Sequence, residues 1–314
     1  MTNWTRDFIG YGSQLPRVRW PNDAKVALSL VVNFEEGAEL SIADGDERNE
    51  AVYEAVELVR DAIDPCMMSH YEYGLRAGFW RLMDTLNAAG VVGTVSACGR
   101  AVERTPLLIK EAAARGHEIS CHGYRWESHA AMSEEVERRA IQRTVAAIEA
   151  VVGRAPVGWH TRSASSAQTR RLLREHGGFL YDSDAYNDDL PYLLPGARPH
   201  VVIPYAFDTN DMRFQPGGGF VHAEDFARYC IAAFDKLWQE GGRGQPKMMS
   251  VGLHLRLIGR PARISGLEDF LSHVSKKGGA WICHRADIAR HWLEFTGRQT
   301  NVDAPTIKPM DSAT

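Results

Sequence analysis

The sequence predicts an α/β protein built on a parallel barrel or open sheet, and two observations carry that expectation. Glycines at Gly116, Gly153, Gly177/Gly178, Gly241 and Gly278 each close a helical pattern and lead into a short apolar run, so that between Gly90 and Trp281 the chain reads as helix, glycine, strand, repeatedly. The apolar runs end on polar clusters, which places the chemistry at strand ends: NFEEG (33–37), CHGYRW (121–126), GWHTR (158–162), YDSD (181–184) and GLHLR (252–256).

In order, residues 24–34 are a first strand, whose nearly unbroken VALSLVVNF suits burial on both faces. Residues 46–62 and 76–89 read as helices, followed by strand VVGTVSAC (91–98). Thr105 and Pro106 form an N-cap and first-turn pair for a helix to Arg115, and HEISCHG (117–123) follows as a strand. Ser133 caps an amphipathic helix to Val152, PVGWHT (156–161) is the next strand, a helix runs from about Ser165 to His176, and FLYDSD (179–184) returns to the sheet. After HVVIPY (200–205) and the irregular DTNDMRFQPGGG (208–219), a helix from Ala223 to Glu240 leads to strand KMMSVGLHLR (247–256). Helix 265–276, strand AWICHR (280–285) and helix 286–296 complete the pattern.

The chain of 314 residues carries no linker-like or low-complexity interruption before its end, so one catalytic domain over 24–297 is the simpler organisation, with an N-terminal extension (1–23) and a C-terminal tail (298–314). Net charge is −4 and the basic residues are scattered, which argues against a nucleic-acid surface and for a small neutral ligand. Five widely spaced cysteines without a CxxC speak against a disulfide framework and for a reducing cytoplasm. The start lacks a signal-like apolar segment and no run reaches the length of a membrane span, so neither secretion nor a membrane partner is expected. The tail reads as a loose end or a contact in a homo-oligomer.

Glu35 and Glu36 at the mouth of a buried strand are the first chemical clue, since adjacent charges rarely sit there without partners. An extended backbone sends them to opposite faces; a turn at Gly37 lets both face one cavity; a position beyond the strand end leaves them a solvated pair. His122 and His254, each at a strand end, are structural residues or members of a pocket. Acids and histidines at the same end of three strands can converge on one site in a parallel barrel.

These residues resemble the polysaccharide deacetylase-like group with the NodB-homology fold, a deformed β/α barrel. NFEEG is similar to that group's TFDDG motif with both aspartates replaced, HGYRW to its His-x-x-x-His, RAPVGWHT to its Arg-x-Pro stretch, and GLHLR to the motif whose histidine assists the leaving group. IGYG (9–12), GHEISCHGYRW (116–126), DDLPY (188–192), IPY.FDTNDMRF (203–214) and GLH.RLIGRPAR (252–263) bring the chain nearest to the bacterial allantoinase and cyclic imide hydrolase branch.

The resemblance implies hydrolysis of a carbon–nitrogen bond in a cyclic amide such as allantoin or a related ureide, with cyclic imide hydrolysis and metal-dependent deacetylation of N-acetyl sugars as alternatives. It implies Glu35 as the base that activates water and His254 as the acid that protonates the leaving nitrogen. Metal-ligand candidates are Glu36 and His122, but Trp126 stands where the second histidine would be and an indole cannot ligate zinc, so no cofactor is required and a weakly bound divalent ion is the most expected. His160 is a third ligand or a substrate contact. His129, if its segment is helical, lies too far from His122 to share an ion. Arg162 and Arg256 are candidates to stabilise an oxyanion, Asp208, Asn210, Asp211 and Arg213 to read mixed donors and acceptors, and Trp126 and Trp159 to form a dry wall.

Overall fold

The structure is a computed structural model that describes residues 6–51, 57–162, 164–196 and 198–298. Its centre is β1 (Val26–Phe34), every residue of which is buried. Strand β8 (Lys247–His254) pairs with it in parallel over nearly its whole length and sets Asn33 level with His254. The other edge is shared: β2 (Thr94–Ala97) takes Val31–Phe34, and β9 (Ala280–Ile282) takes Val26–Leu28. From β2 the sheet continues through β3 (Glu118–Cys121), β4 (Gly158–Trp159), β5 (Tyr181–Asp182) and β7 (Val201–Val202), all parallel, to the antiparallel β6 (Tyr192–Leu193).

The sheet curls into a half-barrel. Between β7 and β8 the closure is irregular backbone: Gly252 N–H donates to Thr209 O (3.0 Å), Asn210 bridges Gly252, and Met248 N–H donates to Asp189 O (2.9 Å). Strand parity then sorts the side chains. Leu28, Leu30, Val32 and Phe34 face the apolar layer under the helices, while Ser29, Asn33 and Glu35 face the barrel interior. Below the cavity that interior is filled by the buried Arg285, which donates to Ser29 Oγ (3.4 Å), Ser183 Oγ (2.9 Å), Ser250 Oγ (2.8 Å) and the carbonyls of Ile203 and Pro204.

Around the sheet lie α1 (Pro65–Tyr73), α2 (Phe79–Ala88), α3 (Gly99–Arg104), α4 (Pro106–Ala114), α5 (Glu134–Val152), α6 (Thr169–His176), α7 (Ala223–Gly242), α8 (Pro261–Lys277) and α9 (Arg285–Phe295). Ser133 caps α5 as expected, its Oγ accepting from Val136 N–H at 3.4 Å. Several expectations fail. Residues 46–51 and 57–62 are not helical, because Asn49 stitches the segment into a loop, accepting from Ile42 N–H and donating to the carbonyls of Val59 and Ala62; residues 52–56 of that expected helix lie outside the described residues. The next helix begins earlier than expected, at Pro65, with Asp64 accepting from Met67 N–H as cap. Thr105 does not cap α4 with its side chain; its Oγ1 donates back to Ala101 O and so helps end α3, a helix the sequence pattern hides. Gly241 lies inside α7, where a Cβ would overlap the Lys25 backbone. The stretch counted as an N-terminal extension buries Val18 and Trp20, and Trp20 Nε1 donates to Lys247 O (3.0 Å). The expected tail lies outside the described residues apart from Arg298. Among the described residues no helix is long and apolar enough to cross a membrane.

Between α1 and α2 the chain makes a wide π turn, Gly74–Gly78, without leaving the helical path. Both glycines serve close approach. Gly74 lies against the Glu36 side chain, and Gly78 against the Leu255 carbonyl and Gly259. A methyl group at Gly78 would meet backbone on β8's exit, which cannot rotate away. Gly78→Ala is therefore expected to destabilise the fold by about 3 kcal/mol, read as a lower urea midpoint with unchanged slope; an unchanged midpoint would show that this helix is not pressed against the strand exit.

Candidate active site

Five parallel strands end around one cavity of about 170 Å³, lined by Asn33, Glu35, His122, Trp126, His160, Arg162, Tyr205, Phe207, Asn210, Met212 and His254. The strand ends supply Glu35 after β1, His122 after β3, His160 after β4, Tyr205 three residues past β7 and His254 as the last residue of β8. Cavities at the carboxyl ends of parallel strands are where such sheets place chemistry, because the loops there converge while the strands hold them rigid.

Glu35 is 2 % exposed and has three cationic or imidazole partners. Its Oε1 meets His122 Nε2 at 3.2 Å and His254 Nε2 at 3.5 Å, and its Oε2 accepts from Arg256 Nη1 at 2.8 Å. Burial pushes the carboxyl up, but the charges of His254 and Arg256 and the two imidazole contacts outweigh it and hold Glu35 well below the usual carboxylate range. His122 Nδ1 lies 2.7 Å from the His160 carbonyl, which can only accept, so Nδ1 carries hydrogen and Nε2 is the atom turned to Glu35. His254 is held from behind by Asp211, whose Oδ1 is 2.5 Å from Nδ1 and whose Oδ2 accepts from the backbone N–H groups of His254 (2.7 Å) and Ile258 (3.0 Å). Burial lowers the imidazole, yet Asp211 and Glu35 together raise it to about 10. At neutral pH the cavity thus holds a carboxylate and an imidazolium.

The neighbouring Glu36 goes the other way, as strand parity requires. It is fully buried, accepts from the Arg256 N–H (3.1 Å) and Nη1 (3.3 Å), and is absent from the cavity wall. Burial raises its carboxyl to about 7 against the pull of Arg256. The acid that meets His122 is therefore Glu35, and the pairing of Glu36 with His122 across one cavity is corrected. A divalent ion does not fit these donors. Glu36 is engaged by Arg256, Trp126 offers no lone pair, and the guanidinium already lies against the far oxygen of Glu35. Among the described residues no group of three or more His, Cys, Asp or Glu side chains is gathered to hold a metal.

The remaining expected residues separate into wall and support. Trp126 and Arg162 line the cavity: the Arg162 guanidinium stacks on the Trp126 ring at 3.5 Å, donates to Trp126 O (2.8 Å) and is clamped by both oxygens of Glu50. Arg256 also reaches the Trp126 ring, at 4.9 Å, but stands behind Glu35. His160 lies in the wall between His122 (4.9 Å) and Tyr205 (4.5 Å), and burial holds its imidazole neutral, well below its ordinary value. Trp159, one residue earlier, points to the opposite face; it is fully buried, donates from Nε1 to Thr161 Oγ1 and packs against Phe179 behind the wall. Of the polar quartet only Asn210 lines the cavity. Asp211 supports His254. Asp208 is exposed and borders a larger, open depression on the far side of Tyr205, and Arg213 stacks on Phe220 and Tyr229 while donating to Gly218 O and Asp208 O. His129 is buried against Glu137, not helical, and takes no part in the cavity.

Asn33, Glu50, Tyr205, Phe207 and Met212 were not singled out in the sequence. Asn33 was findable, because it precedes Glu35 by two on a strand and so shares its face. Tyr205 ends an apolar run, a weaker signal, and nothing local marks Glu50.

The family model for polysaccharide deacetylase matches residues 60–178. A Schizosaccharomyces pombe protein described as a polysaccharide deacetylase is 37% identical, over 92% of this chain and 97% of its own. Two solved structures superpose with TM-scores of 0.89: a Pseudomonas aeruginosa PAO1 protein described as a polysaccharide deacetylase, 45% identical over 93% of this chain and 98% of its own, and PuuE allantoinase, 42% identical over 96% of this chain and 100% of its own.

The raised pKa of His254 can be followed directly by imidazole NMR. An imidazole free in the unfolded chain titrates near 6.5, so the ion pairs to Asp211 and Glu35 stabilise the fold in full below that pH, and the contribution is lost as pH rises through about 10. Asp211→Asn removes one of the two charges and is expected to bring the His254 titration down towards neutrality; an unmoved midpoint would remove Asp211 as its cause.

Proposed function

The chain belongs to the polysaccharide deacetylase family of hydrolases, and on that premise we propose that it hydrolyses a carbon–nitrogen bond within a small ring amide, allantoin or a related cyclic ureide. The observation that carries this reading is an oppositely charged Glu35–His254 pair 3.5 Å apart in a cavity of only about 170 Å³. Sites for drug-sized ligands run from roughly 300 to 1,000 Å³. A compact ring suits this one better than a length of glycan chain does. The likeness to PuuE allantoinase over nearly the whole of both chains supports the same substrate class.

The resting charges suit the chemistry. Glu35, ionised, takes a proton from water as the water oxygen bonds to the ring carbonyl carbon and the carbonyl electron pair moves onto oxygen. The electron pair on the oxyanion then re-forms the C=O bond as the carbon–nitrogen bond breaks, and the pair of that bond leaves with nitrogen, which receives the proton of His254. The base then holds a proton and the acid has lost one. Because Glu35 Oε1 and His254 Nε2 are direct neighbours, that proton can pass straight back and restore the starting state. Asp211 keeps His254 facing inward with Nε2 towards Glu35, and Arg256 keeps Glu35 ionised. Neutral His160, with one donor and one acceptor nitrogen, and the Nδ2 of Asn210 suit the alternating N–H and C=O groups of a ureide ring.

Purified protein offered allantoin, hydantoin, succinimide, dihydrouracil and chitooligosaccharides is expected to turn over the ureide fastest. Release of acetate from the chitooligosaccharides alone would overturn the reading in favour of a deacetylase. Glu35→Gln keeps the side chain's size but not its basicity or charge, so turnover is expected to fall about 10²- to 10⁴-fold and the melting temperature to drop as Arg256 and His254 lose a buried partner; turnover retained by the folded variant would exclude Glu35 as the base.

The donor geometry also gives a metal-independent reaction under this proposal. Incubation with a chelator is expected to leave turnover intact, whereas loss of turnover restored by added zinc would show that an ion displaces Arg256 from the carboxylates.

A further inference from the structure

With no ion suited to the site, the charge that develops on the carbonyl oxygen needs another partner, and the floor of the cavity holds a donor of an unusual kind. The Tyr205 hydroxyl lies over Gly252, one pleat below His254 on β8; a Cβ at Gly252 would overlap it. It accepts hydrogen bonds from two side-chain amides, Asn33 Nδ2 at 3.2 Å and Asn210 Nδ2 at 3.4 Å.

Both amides are fixed in that orientation by the backbone. Asn33 Nδ2 also donates to the Leu253 carbonyl (3.3 Å), which can only accept, so the amide cannot be turned over. Asn210 Oδ1 accepts from the Met212 N–H (2.9 Å), which can only donate, so its Nδ2 must be the atom that faces Tyr205. With two N–H donors aimed at its oxygen, the phenol has its own hydrogen left to give, and among the described residues it makes no hydrogen bond as a donor. Burial raises the phenol's pKa, so that hydrogen stays in place across the working range. The ring is held at both ends: Arg285 binds the carbonyls of Ile203 and Pro204 just before it, and Asn33 and Asn210 hold its oxygen.

We infer that Tyr205 is a further catalytic residue, whose hydroxyl donates a hydrogen bond to the oxyanion formed when water adds to the substrate's amide carbonyl. Tyr205 gives up no proton in this step: Glu35 takes the proton of water, the carbonyl electron pair moves onto oxygen, and the O–H of Tyr205 shortens its hydrogen bond to that oxygen as charge appears. Two amide dipoles pointing at the phenol oxygen are already oriented before reaction, which is the condition under which such a donor acts without reorganisation. The inference rests on the amide-hydrolase reading but not on the choice of ring.

Tyr205→Phe retains the ring and removes the donor. It is expected to lower kcat about 10²- to 10³-fold, the usual effect of losing one oxyanion donor, with KM changed by less than about threefold. Because Tyr205→Phe also leaves two amides without their acceptor, a second substitution separates donation from support: fluorotyrosine at position 205 has the same shape and a more acidic O–H, and kcat is expected to change with phenol acidity while the melting temperature stays constant. Wild-type turnover that Tyr205→Phe retains, or a kcat indifferent to fluorination, would overturn the role of Tyr205 and leave the amidase reading standing. Absence of wild-type turnover on every amide of the panel would overturn both, since no oxyanion would form.

Discussion

Two carboxylates at the end of one strand, both removed from water, can coexist only if a positive charge lies between them, and Arg256 is that charge. Its Nη1 touches Glu35 and Glu36, its backbone N–H is a further donor to Glu36, and the rings of Tyr71 and Trp126 flank its guanidinium. A buried ion pair gives little net stability by itself, but loss of one partner costs about 3–5 kcal/mol because the other charge is stranded. The rest of the site inherits its charge state from this contact. Glu35 stays ionised and so supports a protonated His254, while Glu36 absorbs the opposite strain and titrates nearer neutrality. Nearby segments are shaped to allow it, with Gly74 making room for Glu36 and Gly78 for the turn that carries Arg256.

The fold was legible because it is written in short-range chemistry. Apolar runs and left-handed glycines such as Gly116, Gly153 and Gly177 mark strand and helix ends wherever the chain lies. What failed was what depends on partners far along the chain. Asn49 makes a loop of a helix-like sequence by reaching the carbonyls of Val59 and Ala62, and Gly241 stays in its helix because Lys25 presses against it. The antiparallel β6 was hidden in a run of Asp, Pro and Tyr that alone reads as loop.

The candidate site was legible to a similar depth. Residues at strand ends (Glu35, His122, His160, His254) meet in the cavity, because parallel strands deliver their ends to one rim. Residues in the irregular 208–213 segment could not be assigned that way. There the distinction between lining the cavity and supporting it is made by single hydrogen bonds, such as those that turn Asp211 behind His254 and leave Asp208 outside. The separation of Trp159 from His160 follows from strand alternation alone, which a stricter use of period two would have supplied.

That alternation has a consequence for how this chain tolerates change. Glu35 and Glu36 are the same residue, and only the side of the strand on which each falls makes one face the ligand cavity and the other a scaffold anion. A one-residue slip of β1 against β8 would bring Glu36 to the cavity side and turn Glu35 to the buried side, into the place Phe34 now holds, while leaving the dipeptide reading Glu-Glu. The mutation behind such a slip could sit anywhere in the strand, out of contact with the cavity. Inspection of the motif would therefore pass as intact a protein in which the other carboxylate faced the cavity, and it is the pairing of Asn33 with His254 that records which state the molecule is in.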